Sequence, residues 1–146
     1  AELELLIRLP PLRIVAIGED WCPDVYHTLP TWARVAEEVP GWELRVFARD
    51  ARGELMDAFL WRNEARRIPV FAFYDSKGSL QVWWSGRGAA AQRFYEDLLA
   101  GRSFGDLDED EIAELVKSFD EAYRSRFRRE NFEEILTLLR AFFHLG

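Results

Sequence analysis

The sequence is poor in the residues that build metal and disulfide frameworks. It has one cysteine, Cys22, in 146 residues, which excludes an intramolecular disulfide and any zinc site made of several thiolates, such as paired CxxC motifs. Two histidines, His27 and His144, are too few for a histidine-rich metal site, so no metal is expected. Long apolar runs are missing as well. The stretch from Ile68 to Tyr74 is among the longest and falls far short of the roughly 20 residues of a spanning helix, so no membrane span is expected. The N-terminus carries Glu2 and Glu4 where a secretory signal carries bases, and together with the lone thiol this points to the cytoplasm. Positive charge is in deficit, with a net charge of −7 and a pI near 4.9, which argues against nucleic acid and anionic membranes as partners.

What is present is the composition of a folded chain: 49% hydrophobic and 31% charged. The length suits a single domain, since domains commonly run about 100 to 150 residues. A chain of this size buries roughly two-thirds of its unfolded surface.

The pattern along the chain alternates helices and strands. Residues 2–9 read as a short helix ended by Pro10 and Pro11. Arg13 to Ile17 is a β-branched run between breakers, a buried strand. From Cys22, the residues Val25, Leu29, Trp32, Val35, Ala36 and Val39 recur at helical spacing, with Pro30 inside the helix and Pro40-Gly41 after it. Glu43 to Ala48 alternates as a strand, and Leu55, Met56, Phe59 and Leu60 mark another helix. Val70 to Tyr74 and Leu80 to Trp84 flank the turn Asp75-Ser76-Lys77-Gly78 and predict a hairpin. Trp83 and Trp84 point to opposite faces of their strand, so at least one belongs in the core. Gly86-Arg87-Gly88 then leads into a helix through Leu99. The first part is a βαβ unit and parallel, the hairpin antiparallel; the expectation is an α/β fold with a mixed four-stranded sheet and helices on both faces.

Residues 102–146 differ in character. Asp106 to Glu121 holds eight acids against one Lys, and Asp108-x-x-Glu111 is a capping-box pattern. Ile112, Leu115, Val116, Phe119, Tyr123 and Phe127 form one apolar stripe. Asn131-x-x-Glu134 repeats the capping signal and predicts a second helix, with Phe132, Ile135, Leu136, Leu139, Phe142 and Phe143 as its stripe. Both stripes are core faces, with a dimer face as the other reading. The basic run Arg124, Arg126, Arg128 and Arg129 beside the acids reads as a salt-bridged, solvated helix surface. The division expected is 1–101 for the α/β domain and 102–146 for a helical extension packed on it.

The chemistry concentrates in Glu19-Asp20-Trp21-Cys22-Pro23-Asp24-Val25, between a buried strand and the first turn of a helix. A thiol there feels unpaired N–H groups and the positive helix end, which favour thiolate, the nucleophilic form. Pro23 suits the first helical turn. Against this stand Asp20 and Asp24, whose charges raise a neighbouring thiol pKa, or which serve as N-caps. Cys22 itself reads either as a reactive thiol or as a small buried hydrophobe, and Trp21 either as substrate-facing or as a packing lid. His27, five residues past Cys22, is a poor helical partner for it.

Trp21-Cys22-Pro23-Asp24 after the first core strand, the βαβ-then-hairpin order, and Arg67-Ile68-Pro69-Val70 together resemble the thioredoxin family over about residues 12–100. The likeness is to a little-characterised branch with a D-W-C-G/P-D-V motif, which also carries a helical tail. The resemblance implies a thioredoxin fold, a cis peptide at Pro69 facing Cys22, and substrate contact by Trp21, Pro23, Asp24, Val25, Ile68 and Pro69. Without it, Pro69 reads as a strand-opening proline. Two departures limit the chemistry. Redox-active members read W-C-x-x-C, and here Val25 fills the second cysteine position; they also bury an acid six residues before the first Cys, where this chain has Ala16. A dithiol cycle within one chain is therefore impossible.

One-thiol chemistry is what the motif leaves. Cys22 as catalytic nucleophile would need an external thiol, such as glutathione or bacillithiol, for resolution. In monothiol glutaredoxins, basic groups and a helix N-terminus after the hairpin hold the thiol's carboxylate; Arg66, Arg67, Gly86 and Arg87 occupy comparable places here. The first functional reading is thus a monothiol oxidoreductase-like protein acting on a protein or low-molecular-weight thiol or disulfide. The alternative is a redox-inactive module that binds extended peptides beside the cis-proline. No other cofactor is expected, and the chain is read as a monomer or homodimer.

Overall fold

The computed structural model describes residues 2–49, 53–60 and 66–145. The elements follow one another as α1 (Glu2–Ile7), β1 (Arg13–Ile17), α2 (Pro23–Glu38), β2 (Glu43–Phe47), α3 (Gly53–Asp57), β3 (Val70–Tyr74), β4 (Leu80–Ser85), α4 (Ala89–Leu99), a 3-10 turn (Phe104–Asp106), α5 (Glu109–Ala122), a π-helical turn (Tyr123–Phe127) and α6 (Arg128–Phe142). The sheet has four strands in the order β2-β1-β3-β4. β1 runs parallel to β2, and both β1–β3 and β3–β4 are antiparallel. This is the mixed α/β sheet that the pattern predicts, with helices on both sides.

Side chains alternate across an extended strand, so each strand supplies two faces. Ile14, Ala16, Phe71, Phe73 and Trp84 meet Leu5 and Leu6 of α1, Trp32 and Val35 of α2, and Ile135 and Leu139 of α6 in one core. Ile17, Val70 and Ala72 turn to the other side, where Met56, Phe59, Ile68, Cys22 and Val25 pack with them. The two tryptophans of β4 divide accordingly: Trp84 packs in the first core and Trp83 sits edge-on to Phe59 at 5.4 Å. A third cluster joins Ala91 of α4 to Phe119, Tyr123 and Phe127. The hairpin turn is fixed by the Asp75 carboxylate, which accepts from the N–H groups of Lys77 and Ser79 at 2.9 Å each, and by Gly78 at φ 85°, a conformation side chains disfavour.

The tail departs from expectation at one point. Asp108 does cap α5, accepting from Glu111 N–H at 2.8 Å while its own N–H donates to Glu111 Oε1 at 3.2 Å. Asn131, however, starts no helix. The backbone stays helical from Glu109 through the π turn to Phe142, and Asn131 is 1% exposed inside it. A capping pattern specifies side-chain chemistry and spacing, not which helix end receives it. Here the receiver is α4, as described below. The basic run is largely ion-paired on the helix surface, with Arg126 on Glu130 at 3.2 Å and Arg129 on Glu133 at 2.8 Å and on Glu2; Arg128 is turned inward to His27. No helix among the described residues is long and apolar enough to cross a membrane.

Candidate functional site

Cys22 is the N-cap residue of α2, at φ −87° and ψ 122°, with Pro23 at the first helical position. Its carbonyl accepts from the N–H groups of Val25 and Tyr26 at 3.0 Å each, which begins the helix. Neither Asp20 nor Asp24 caps α2: the N-cap position is taken by Cys22, and no side chain bonds there. The register that pairs Ile17 with Val70 places Pro69 across from Gly18, at the end of β1 where the chain turns toward Cys22. The Ile68–Pro69 peptide is cis, and the Pro69 carbonyl accepts from Gly86 N–H at 2.9 Å.

The sulfur lies in an apolar setting. Cys22 is 9% exposed and packs in the cluster with Ile17, Val25, Ile68 and Val70. Val25 presses on Gly18 so closely that a Cβ there would lie 2.9 Å from Val25 Cγ1. Burial pushes the Cys22 thiol up, and the Asp24 carboxylate adds to the rise. The N–H groups of Val25 and Asp24 and the charge of Arg87 pull the other way and are outweighed. The helix end thus acts on this thiol as expected, and burial wins. Trp21 has the opposite environment: it is 62% exposed, with the Arg49 guanidinium 5.8 Å from its ring centre. It is not a packing lid.

Asp24 is the centre of a buried polar network. It is 2% exposed, and Arg87 reaches it through Nη2 at 2.8 Å and Nε at 3.1 Å, while the Tyr123 hydroxyl donates to its other oxygen. Burial raises the Asp24 carboxyl, against the pull of Arg87 and Tyr123. Tyr123, itself fully buried, is held far above the ordinary phenol range by burial and the Asp24 charge. The Arg87 guanidinium also lies over the Tyr95 ring at 4.2 Å.

The network continues to α4. Asn131 Nδ2 donates to the Tyr123 oxygen at 3.1 Å and to Thr28 at 3.4 Å, and its Oδ1 accepts from Gly88 N–H at 3.1 Å. Glu134 accepts from Ala89 N–H at 3.2 Å and from Trp84 Nε1 at 3.0 Å. Asn131 and Glu134 therefore cap the start of α4 from another helix. The N–H groups expected to receive a thiol's carboxylate are engaged within the chain, and Arg87 is engaged by Asp24. Arg66 forms an exposed fork with Asp57, at 2.7 and 2.8 Å, rather than joining Cys22. Arg67 faces the network electrostatically, lowering Asp24.

His27 belongs to the same interface and not to a Cys–His pair. It is 3% exposed, with Nε2 2.7 Å from Asp120 Oδ1 and Nδ1 accepting from Arg128 Nε at 3.0 Å. Because Nδ1 is an acceptor, Nε2 carries the proton and donates to Asp120. Burial, helped by Arg128, lowers the His27 pKa despite Asp120, so the ring is neutral. It stacks on Tyr123 with centres 4.6 Å apart. The Tyr26 hydroxyl donates to the same Asp120 oxygen at 2.7 Å and is pushed up to about 12 by burial and Asp120. Sequence reasoning missed Thr28, Asp120, Tyr123 and Asn131 as partners of this site. One signal was available: Phe119, Tyr123, Phe127, Asn131, Ile135 and Leu139 recur in unbroken steps of four.

Comparison with known proteins agrees with this architecture. The family model described as Thioredoxin matches residues 5–99. No curated protein matches the chain. A crystal structure of a protein of unknown function from Pseudomonas aeruginosa is similar with a TM-score of 0.59 and 18% identity, over 96% of this chain and 72% of that one. An HIV epitope-scaffold is similar with a TM-score of 0.58 and 20% identity, over 96% of this chain and 73% of that one. At these identities the structural likeness speaks for the fold. Among the described residues no group of His, Cys, Asp and Glu side chains could hold a metal ion.

Proposed function

The chain belongs to the thioredoxin family, and on that premise we propose that it works as a peptide- or protein-binding module of that fold rather than as a redox catalyst. The observation that carries the reading is the contrast at the motif: Cys22 is buried and its thiol raised, while the neighbouring Trp21 stands out into solvent. A nucleophile needs thiolate and access; a docking surface needs an exposed aromatic on a rigid base. The neutralised surroundings support the same reading, because Arg87 and the first amides of α4 serve the chain's own Asp24, Asn131 and Glu134. An extended peptide would lie along the Ile68–Pro69 segment and pack on Trp21, by main-chain pairing of the kind used in strand addition.

The second reading is a monothiol oxidoreductase, in which Cys22 attacks a disulfide and an external thiol such as glutathione or bacillithiol displaces the product. It is favoured by the place of Cys22 at the N-cap of α2, where the Asp24 and Val25 amides pull its thiol pKa down against burial. An array of extended peptides carrying their own fluorescent label, read by the anisotropy of that label, separates the two. The binding reading expects Cys22→Ser to bind as the parent does and Trp21→Ala to lose binding. Loss of all binding in Cys22→Ser, with mixed disulfides in the parent's intact mass, assigns the monothiol role instead.

A further inference from the structure

The outer strand β2 carries a self-complementary edge. Glu43 N–H donates to the Leu12 carbonyl at 3.2 Å, and the Phe47 carbonyl accepts from Gly18 N–H at 3.0 Å, so both residues turn their main chain inward. Successive residues of a strand turn theirs to opposite sides, so Leu44 and Val46 aim N–H and C=O outward. Among the described residues no hydrogen bond reaches either of them on that side. The Val46 side chain is 52% exposed. β2 reads Glu-Leu-Arg-Val-Phe, with neither the proline nor the lysine that commonly guards such an edge.

Charge selects the partner and the register. In an antiparallel pair of two β2 strands, outward residues must face outward residues. With Leu44 opposite Val46 of the second copy, Arg45 faces Arg45. With Val46 opposite Val46, Arg45 faces Phe47. With Leu44 opposite Leu44, Glu43 of each copy faces Arg45 of the other, twice over by symmetry. Those charged residues then occupy the positions between hydrogen-bonded pairs, where opposed side chains come closest. We propose that two copies of this chain pair antiparallel through β2, centred on Leu44, and so join their sheets into one. The two Leu44 residues exchange both main-chain hydrogen bonds, and the interface is isologous.

The arrangement is tested by charge exchange and sedimentation from micromolar to millimolar protein, with circular dichroism as the check on folding. The parent chain self-associates. Glu43→Arg alone sets like charges opposite each other twice, as does Arg45→Glu alone, and each weakens the dimer by about tenfold. An equimolar mixture of the two variants regains association, because every charge again meets its opposite across the pair. The exposed Arg13–Glu43 pair, at 3.8 Å, is lost in the first variant at little cost to folding. A parent that stays monomeric at millimolar concentration overturns the dimer. Association that both single variants leave unchanged, or a mixture no stronger than its components, overturns the register.

Discussion

The Tyr123 hydroxyl donates a hydrogen bond to the Asp24 carboxylate, joining the π turn of the tail to the first turn of α2 across 99 positions of sequence. Neither group can lose the other cheaply. Asp24 is a buried acid raised by burial, and Arg87 and Tyr123 are what hold it. Tyr123→Phe removes one donor to Asp24 and leaves Asn131 Nδ2 with only its longer bond to Thr28. We expect a loss of about 1–3 kcal/mol, measured by urea unfolding. Arg87→Met leaves the carboxylate unpaired and should cost more, about 3–5 kcal/mol. Equal, small losses in both would mean that Asp24 is uncharged in the fold.

The thiol provides a second measurement. Cys22 ionises above the range of a free cysteine, about 8.5. Its alkylation by iodoacetamide at neutral pH should therefore be slower than that of the same residue in the urea-unfolded chain. Asp24→Asn removes the nearest negative charge, so the midpoint of the pH–rate profile should move down. A native Cys22 that alkylates faster than the unfolded one contradicts both the burial and the charge argument.

His27 sets a third expectation, with a definite sign. Its pKa is lowered in the fold, so between the unfolded value, about 6.5, and the folded one the unfolded chain binds more protons. This residue's contribution is present above the unfolded value and declines as pH falls toward the folded one. Asp24, raised in the fold, runs in the opposite direction. The informative quantity is the difference between the parent and His27→Gln, which keeps an acceptor for Arg128 and a donor for Asp120. That difference should shrink as pH drops below about 6.5. A difference independent of pH means that the His27 pKa is the same in the folded and unfolded chains, and one that grows as pH falls toward about 6.5 means that the ring is charged in the fold.

Gly88 supplies a purely steric prediction. A Cβ there would lie 2.5 Å from Asn131 Oδ1 and 2.7 Å from Glu134 Oε2, the two atoms that cap α4. Gly88 has an ordinary φ of −66°, so backbone strain plays no part. Gly88→Ala should cost roughly 1–3 kcal/mol by forcing the caps away. Thermal unfolding of Gly88→Ala beside Asn131→Ala tests the assignment, because the two losses should be far from additive.

These sites explain which features could be read from sequence. The strands and the Cys22 junction were legible because their signals are local: β-branched runs, breakers, and a proline at the first turn of a helix. Val25 and Ala16 were legible as departures from a known pattern. The engagement of Arg87 was not, since its partner Asp24 lies 63 positions away and composition places no constraint on that pairing. The Asn131-x-x-Glu134 signal was correct in chemistry and wrong in address. A single sequence does not say which of several helix ends a polar pair will meet in space.

The π turn at Tyr123–Phe127 has a geometric consequence for the whole tail. Each step of four residues overshoots an α-helical turn of 3.6 by about 40°, so a stripe in strict fours winds steadily around a regular helix. A turn closed by i→i+5 bonds absorbs part of that drift. It acts as a phase correction within one rod: Phe119 upstream stays aimed at α4, while Ile135 and Leu139 downstream reach the sheet. Deleting a single residue from this turn would rotate everything after it by about 100° relative to what comes before. Asn131 and Glu134 would swing off the start of α4, although neither had been altered.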